Sequence, residues 1–142
     1  MPVSSHRYTQ DQNKPALVLV HGLGSAGNIW KSLVPQLIES FTVYAIDLPG
    51  HGDAPLGDDE EMDPRSLAQS IVDYMVSEMG VESMHVAGNS LGGWIALEMA
   101  AVAPDNVLSV TALAPAGLWH EQPPRKFPPS LDARILAKIS QY

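Results

Sequence analysis

Apolar and polar positions alternate along this chain in two rhythms. Short, mostly apolar runs mark strands: Ala16-Leu17-Val18-Leu19-Val20, Phe41-Thr42-Val43-Tyr44-Ala45-Ile46, Ser83 to Ala87 and Val107 to Leu113. They end at turn formers: Gly22, Asp47-Leu48-Pro49-Gly50, Gly88 and Pro115. Runs of this length without strict alternation fit strands buried on both faces, as in a parallel sheet. Arg7 to Gln10 is a further candidate, for an edge strand.

A longer period fills the gaps. Trp30, Leu33, Val34, Leu37 and Ile38 recur at helical spacing, with Pro35 tolerable only near a first turn. Asp63 is placed as an N-cap, Pro64 as a first helical residue and Gly80 as a stop. Between them Leu67, Ile71, Tyr74 or Met75 and Met79 make one apolar face. A third helix is expected from Leu91 to Val102, closed by Pro104. Alternating strands and helices imply βαβ units, right-handed crossovers and a mostly parallel sheet with helices on both faces.

The tail reads differently. Prolines crowd the stretch from Pro115 to Pro129, which suits neither a helix nor a central strand. Ser130 then resembles an N-cap for a helix over Leu131 to Ile139. The expected division is residues 7–118 as the N-terminal part of a core and 119–142 as the start of an incomplete cap or lid.

The 142 residues suffice for one domain with a real core. Sixteen acidic against eight basic residues give a net charge of −8, which argues against a nucleic-acid partner. Asp58, Asp59, Glu60 and Glu61 read as a solvated loop without the ligand spacing of a metal site. The absence of cysteine removes disulfides, thiolate zinc sites and thiol nucleophiles. No run is long enough to cross a bilayer and no secretory leader is visible, so no membrane partner is expected and cytoplasm is the default.

Chemistry concentrates in Gly88-Asn89-Ser90-Leu91-Gly92-Gly93, a G-x-S-x-G between a strand and a helix. So sharp a turn strains the serine backbone, aims its hydroxyl over the sheet edge and demands glycine at 88 and 92. The Leu91 N–H opens the next helix, where orphan donors favour an anion. His21-Gly22-Leu23-Gly24, after the first long strand, is placed to offer the Leu23 N–H as a second donor.

With Asp47-Leu48-Pro49-Gly50-His51-Gly52 between them, these two segments resemble the α/β-hydrolase superfamily over roughly residues 16 to 118. The resemblance implies a partial α/β-hydrolase core in which Ser90 is the nucleophile and the amides of Leu23 and Leu91 form the oxyanion hole. Asp47 and His51 match a turn that shapes the loop beneath the site. The implied activity is hydrolysis of an ester, lactone, thioester or related carbonyl substrate through an acyl-enzyme. Neither metal nor organic cofactor is implied, and the partner is a small-molecule acyl substrate.

The family's acid and base follow the serine, and here the strands end near Leu113. The triad acid and base are therefore unknown, and the chain reads as cut inside its cap, inactive or very weak alone. Glu121 is a candidate acid. His120 reads as a loop residue, His85 as structural, His21 and His51 as turn residues bonded to backbone, and His6 as near a frayed end. Trp30, Trp94 and Trp119 are candidates to line an acyl pocket, with core packing the simpler role for Trp94.

Two other readings compete. Gly22-x-Gly24-x-x-Gly27, with Asp47 twenty residues further on, imitates a dinucleotide-binding fingerprint. A non-catalytic fragment, self-associating or complemented by a second half, would show an apolar sheet edge and helix face.

Overall fold

The computed structural model describes residues 2–9, 13–56 and 63–117. Five strands form one sheet in the order β1-β3-β2-β4-β5. They are β1 (Ser4–Arg7), β2 (Ala16–Val20), β3 (Thr42–Asp47), β4 (Met84–Asn89) and β5 (Val107–Leu113). The helices are α1 (Val34–Leu37), α2 (Pro64–Ser77) and α3 (Leu91–Val102). All pairings are parallel except that of β1 with β3. This is the expected α/β architecture.

Alternation within strands divides the core. Val18, Val20, Tyr44, Ile46, Met84 and Val86 meet Leu67, Ile71 and Met75 of α2 and Ile95 and Met99 of α3. Full burial of one such side chain contributes about 1.5–3 kcal/mol. Leu17, Leu19, Val43 and Ala45 face the other way, toward Trp30 and Val34. Both faces of β2 and β3 are thus covered, which is why their sequences show no polar alternation.

Local signals set the α2 boundaries. The Asp63 carboxylate accepts the Ser66 N–H at 3.0 Å, Pro64 follows, and Gly80 turns the chain out at φ 69°. Hydrogen bonding from the Ser66 side chain, and then from its N–H, holds the Asp63 carboxyl below its ordinary pKa.

Two elements differ from expectation. The edge strand is Ser4–Arg7, earlier than Arg7 to Gln10, and pairs antiparallel with Tyr44 to Asp47. Backbone pairing rather than an apolar face holds it, so composition could not locate it. The helix over Trp30 to Ile38 is split into a 3₁₀ turn at Gly27–Trp30 and the single α turn of α1. Pro35 in the first turn of α1 lacks the N–H that would have continued an earlier helix. The acidic run 58–61, Trp119, His120, Glu121 and the expected helix 131–139 lie outside the described residues. No helix among the described residues is long and apolar enough to cross a membrane.

Candidate active site

β4 ends at Asn89 and α3 begins at Leu91, so Ser90 alone makes the turn. Its φ of 55° and ψ of −116° lie where residues with a side chain rarely sit, at a cost of about 1–3 kcal/mol. Neighbouring backbone holds it there. The Ser90 N–H donates to Leu113 O at 3.0 Å. Its carbonyl accepts from the N–H groups of Gly93 at 3.0 Å, Trp94 at 3.2 Å and Ala116 at 3.0 Å. The end of β5 and the turn after it therefore fix the elbow from outside its own motif.

The flanking glycines answer to space. A Cβ at Gly88 would run into the Gly92 carbonyl and lie 2.8 Å from the Gly93 nitrogen. A Cβ at Gly92 would run into the Val20 carbonyl and lie 2.6 Å from His21 O. On the other side, a Cβ at Gly22 would lie 3.4 Å from the Ser90 Cβ, so the turn after β2 packs directly on the elbow. Ser90 is exposed and Leu23 and Leu91 are half-buried. Among the described residues neither the Leu23 nor the Leu91 N–H has a hydrogen-bond partner.

Two buried imidazoles fasten this turn to the next. His21 Nε2 accepts the Leu48 N–H at 3.1 Å, so its proton sits on Nδ1 and is donated to Gly22 O at 2.7 Å. His51 repeats the pattern: Nε2 accepts the Gly24 N–H at 3.0 Å and Nδ1–H donates to Pro49 O at 3.0 Å. The ring centroids are 4.9 Å apart. Burial above all lowers the His21 pKa to about 4, with the His51 charge adding to it. Burial also lowers that of His51. Both are neutral structural groups at pH 7, with each ring nitrogen occupied by backbone.

Asp47 completes the joint. Its Oδ1 accepts the Gly27 N–H at 2.7 Å and its Oδ2 the Asp53 N–H at 3.1 Å. These bonds explain the imitation of a dinucleotide fingerprint. The spacing of Gly27 and Asp47 reflects a contact with each other, and a Cβ at Gly27 would lie 3.1 Å from Asp47 Oδ1. The glycines lead into a 3₁₀ turn of four residues, not a helix that could receive a pyrophosphate.

The remaining candidates lie elsewhere. His85 Nδ1 is 2.6 Å from Ser109 Oγ, and its ring meets Phe41 edge-on. His6 meets Tyr8 edge-on at the β1 edge. Among the described residues no imidazole is hydrogen-bonded to Ser90. Trp30 is buried in the core, while Trp94 is half-buried, with its indole N–H donated to Glu98 Oε1 at 3.3 Å. The contacts of Leu113 and Ala116 with Ser90 had no sequence signal of their own.

A serine on a strained strand-to-helix turn, at the C-terminal edge of parallel strands and flanked by a glycine turn, defines a class of α/β protein. The chain belongs to the α/β-hydrolase fold family, whose model matches residues 15–141. It is 32% identical over 141 residues to a pimeloyl-[acyl-carrier protein] methyl ester esterase of Aeromonas hydrophila, covering 99% of this chain and 51% of that one. It is 36% identical over 103 residues to the dihydrolipoyllysine-residue acetyltransferase component of an acetoin cleaving system of Cupriavidus necator, covering 71% and 26%. Among solved structures, a bacterial membrane phospholipase A superposes with a TM-score of 0.76 at 30% identity, covering 85% and 42%. The chain spans about half or less of the length of these relatives.

Proposed function

We propose that this chain carries the nucleophile and oxyanion-hole part of a serine hydrolase acting on esters or related acyl compounds. The observation that carries this reading is the strained backbone of Ser90, with the Gly22 turn packed on its Cβ. Ser90 Oγ attacks the acyl carbonyl as a base takes its proton. The N–H groups of Leu23 and Leu91 hold the resulting oxyanion, each worth about 3–4 kcal/mol in well-formed sites. Collapse of the intermediate breaks the bond to the leaving group, which takes the proton, and water releases the acid from the acyl-enzyme. The free N–H groups of Leu23 and Leu91 support their part in it.

Neither His21 nor His51 serves as the base, because both ring nitrogens of each are engaged by backbone, and no other imidazole among the described residues is hydrogen-bonded to Ser90. With neither His120 nor Glu121 recruited, the 142-residue chain should hydrolyse p-nitrophenyl acetate no faster than about 10³–10⁴ times the uncatalysed rate, the level that binding and an oxyanion hole sustain. Ser90→Ala should lower that rate without abolishing it, since binding and the oxyanion hole act without the hydroxyl. Turnover at ordinary enzyme rates, or a weak rate unchanged by Ser90→Ala, would overturn the assignment. The names of the relatives favour a methyl or other small alkyl ester of a carrier-bound or free acid as substrate.

A further inference from the structure

Two of the contacts that hold Ser90 come from the single turn after β5. Leu113 O accepts the Ser90 N–H at 3.0 Å, and the Ala116 N–H donates to Ser90 O at 3.0 Å. The residues of that turn do not favour its shape by themselves. Ala114 sits at φ 43°, where a Cβ is disfavoured, and Gly117 at φ 88°. Support comes from α3. A Cβ at Gly93 would lie 3.0 Å from Pro115 Cβ, so the middle of the turn rests on the start of the helix. A Cβ at Gly117 would lie 2.6 Å from Trp94 Cδ2 and 2.8 Å from its Cε2 and Cε3. These atoms surround the fused bond of the indole, so the end of the turn lies against the face of the ring.

We propose that Trp94 is a positioning residue for the nucleophile and acts through this turn. The inference rests on the reading of Ser90 as nucleophile and adds what keeps it aimed. Core packing does not account for the side chain, since Trp94 belongs to neither face of the core. Its main chain and its ring reach the elbow by separate routes. The Trp94 N–H donates to Ser90 O at 3.2 Å. The ring backs Gly117, the residue after Ala116, whose N–H meets the same oxygen. The ring is itself oriented. Its N–H donates to Glu98 Oε1 at 3.3 Å, one helical turn along. Glu98 Oε2 in turn lies 3.6 Å from an Arg65 guanidinium nitrogen of α2. Exposed as Arg65 is, that pair adds orientation rather than stability.

Amide hydrogen exchange on the 142-residue chain tests the assignment. Trp94→Leu should cut protection of the Ser90 and Ala116 amides at least about tenfold and leave that of Ile71 in α2 unchanged. Trp94→Phe, which keeps a ring face and loses the bond to Glu98, should retain most of the protection. Gly117→Ala drives a methyl into the ring. It should reproduce the Trp94→Leu pattern with the indole present, and it decides the matter if Trp94→Leu does not fold. Leu97→Ala, at an exposed position of α3, should change none of these amides. The Ser90-dependent part of p-nitrophenyl acetate hydrolysis should fall with the protection in Trp94→Leu and be kept in Trp94→Phe. Unchanged protection at Ser90 and Ala116, or a loss shared equally by Ile71, would overturn the proposal. Hydrolysis without any Ser90-dependent part would sink the hydrolytic reading alone, because the exchange pattern needs no turnover.

Discussion

The Nε2 atom of His51 accepts the backbone N–H of Gly24 at 3.0 Å, one residue beyond the proposed oxyanion donor Leu23. The same ring is anchored through Pro49 O, so one side chain ties the turn after β2 to the turn after β3. His51→Ala should leave two backbone groups without partners and lower stability by about 3 kcal/mol. His51→Gln, which keeps an acceptor, should lose about half as much. Urea denaturation of the two variants checks the order, and equal losses would count against the bond to Gly24.

Protonation attacks the same joint. His21 titrates near 4 in the folded chain against an ordinary 6.5. The unfolded chain therefore binds more protons between these values, and stability falls as pH drops through that window. The loss from this group is roughly 3 kcal/mol, complete near pH 4 and absent above about pH 6.5. His51 is shifted the same way and adds to it. The depressed Asp63 carboxyl acts only below its ordinary 3.8, outside the window. Stability measured at pH 7.5 and 4.5 should show this slope, and His21→Gln should flatten it.

Strain at Ser90 should be recoverable. Glycine tolerates φ 55°, whereas alanine keeps the offending Cβ. Ser90→Gly should therefore be more stable than Ser90→Ala by about 1 kcal/mol, although both lack the hydroxyl. Thermal unfolding of the pair decides it.

The glycines should separate by cause. Gly88→Ala and Gly92→Ala drive a methyl into backbone carbonyls that cannot retreat, and each should cost about 3 kcal/mol or more. Gly24→Ala meets no atom within 4 Å and is opposed only by its φ of 76°, a cost of about 1 kcal/mol. Comparable losses at all three positions would contradict the steric assignment.

Asp47 needs both oxygens. Asp47→Asn keeps one acceptor and turns a donor toward either the Gly27 or the Asp53 N–H. A loss of about 1–3 kcal/mol is expected, read as a lower urea midpoint with unchanged slope.

What the sequence made legible follows from its periodicities. β2, β3 and β5 stand where apolar runs put them, and α2 and α3 where caps and prolines put them. The elbow was readable because glycine at 88 and 92 is a steric demand, and steric demands leave a residue type behind. β1 was misplaced because backbone pairing leaves none. The helix after Gly27 broke because Pro35 outweighed an apolar period. The contacts that hold Ser90 from Leu113 and Ala116 are main-chain bonds, available to nearly any residue.

Those contacts bear on how the molecule folds. Gly92 leaves no room for a Cβ beside the Val20 carbonyl, about seventy residues back in a chain of 142, and Ser90 bonds to a strand that is made after it. Neither local propensity nor the β4–α3 unit can hold the serine in its strained state unaided. The elbow is complete only when β2, β4 and β5 are all in register, so the posture of this one residue reports the assembly of those three strands. A partly folded chain would have the motif without its geometry.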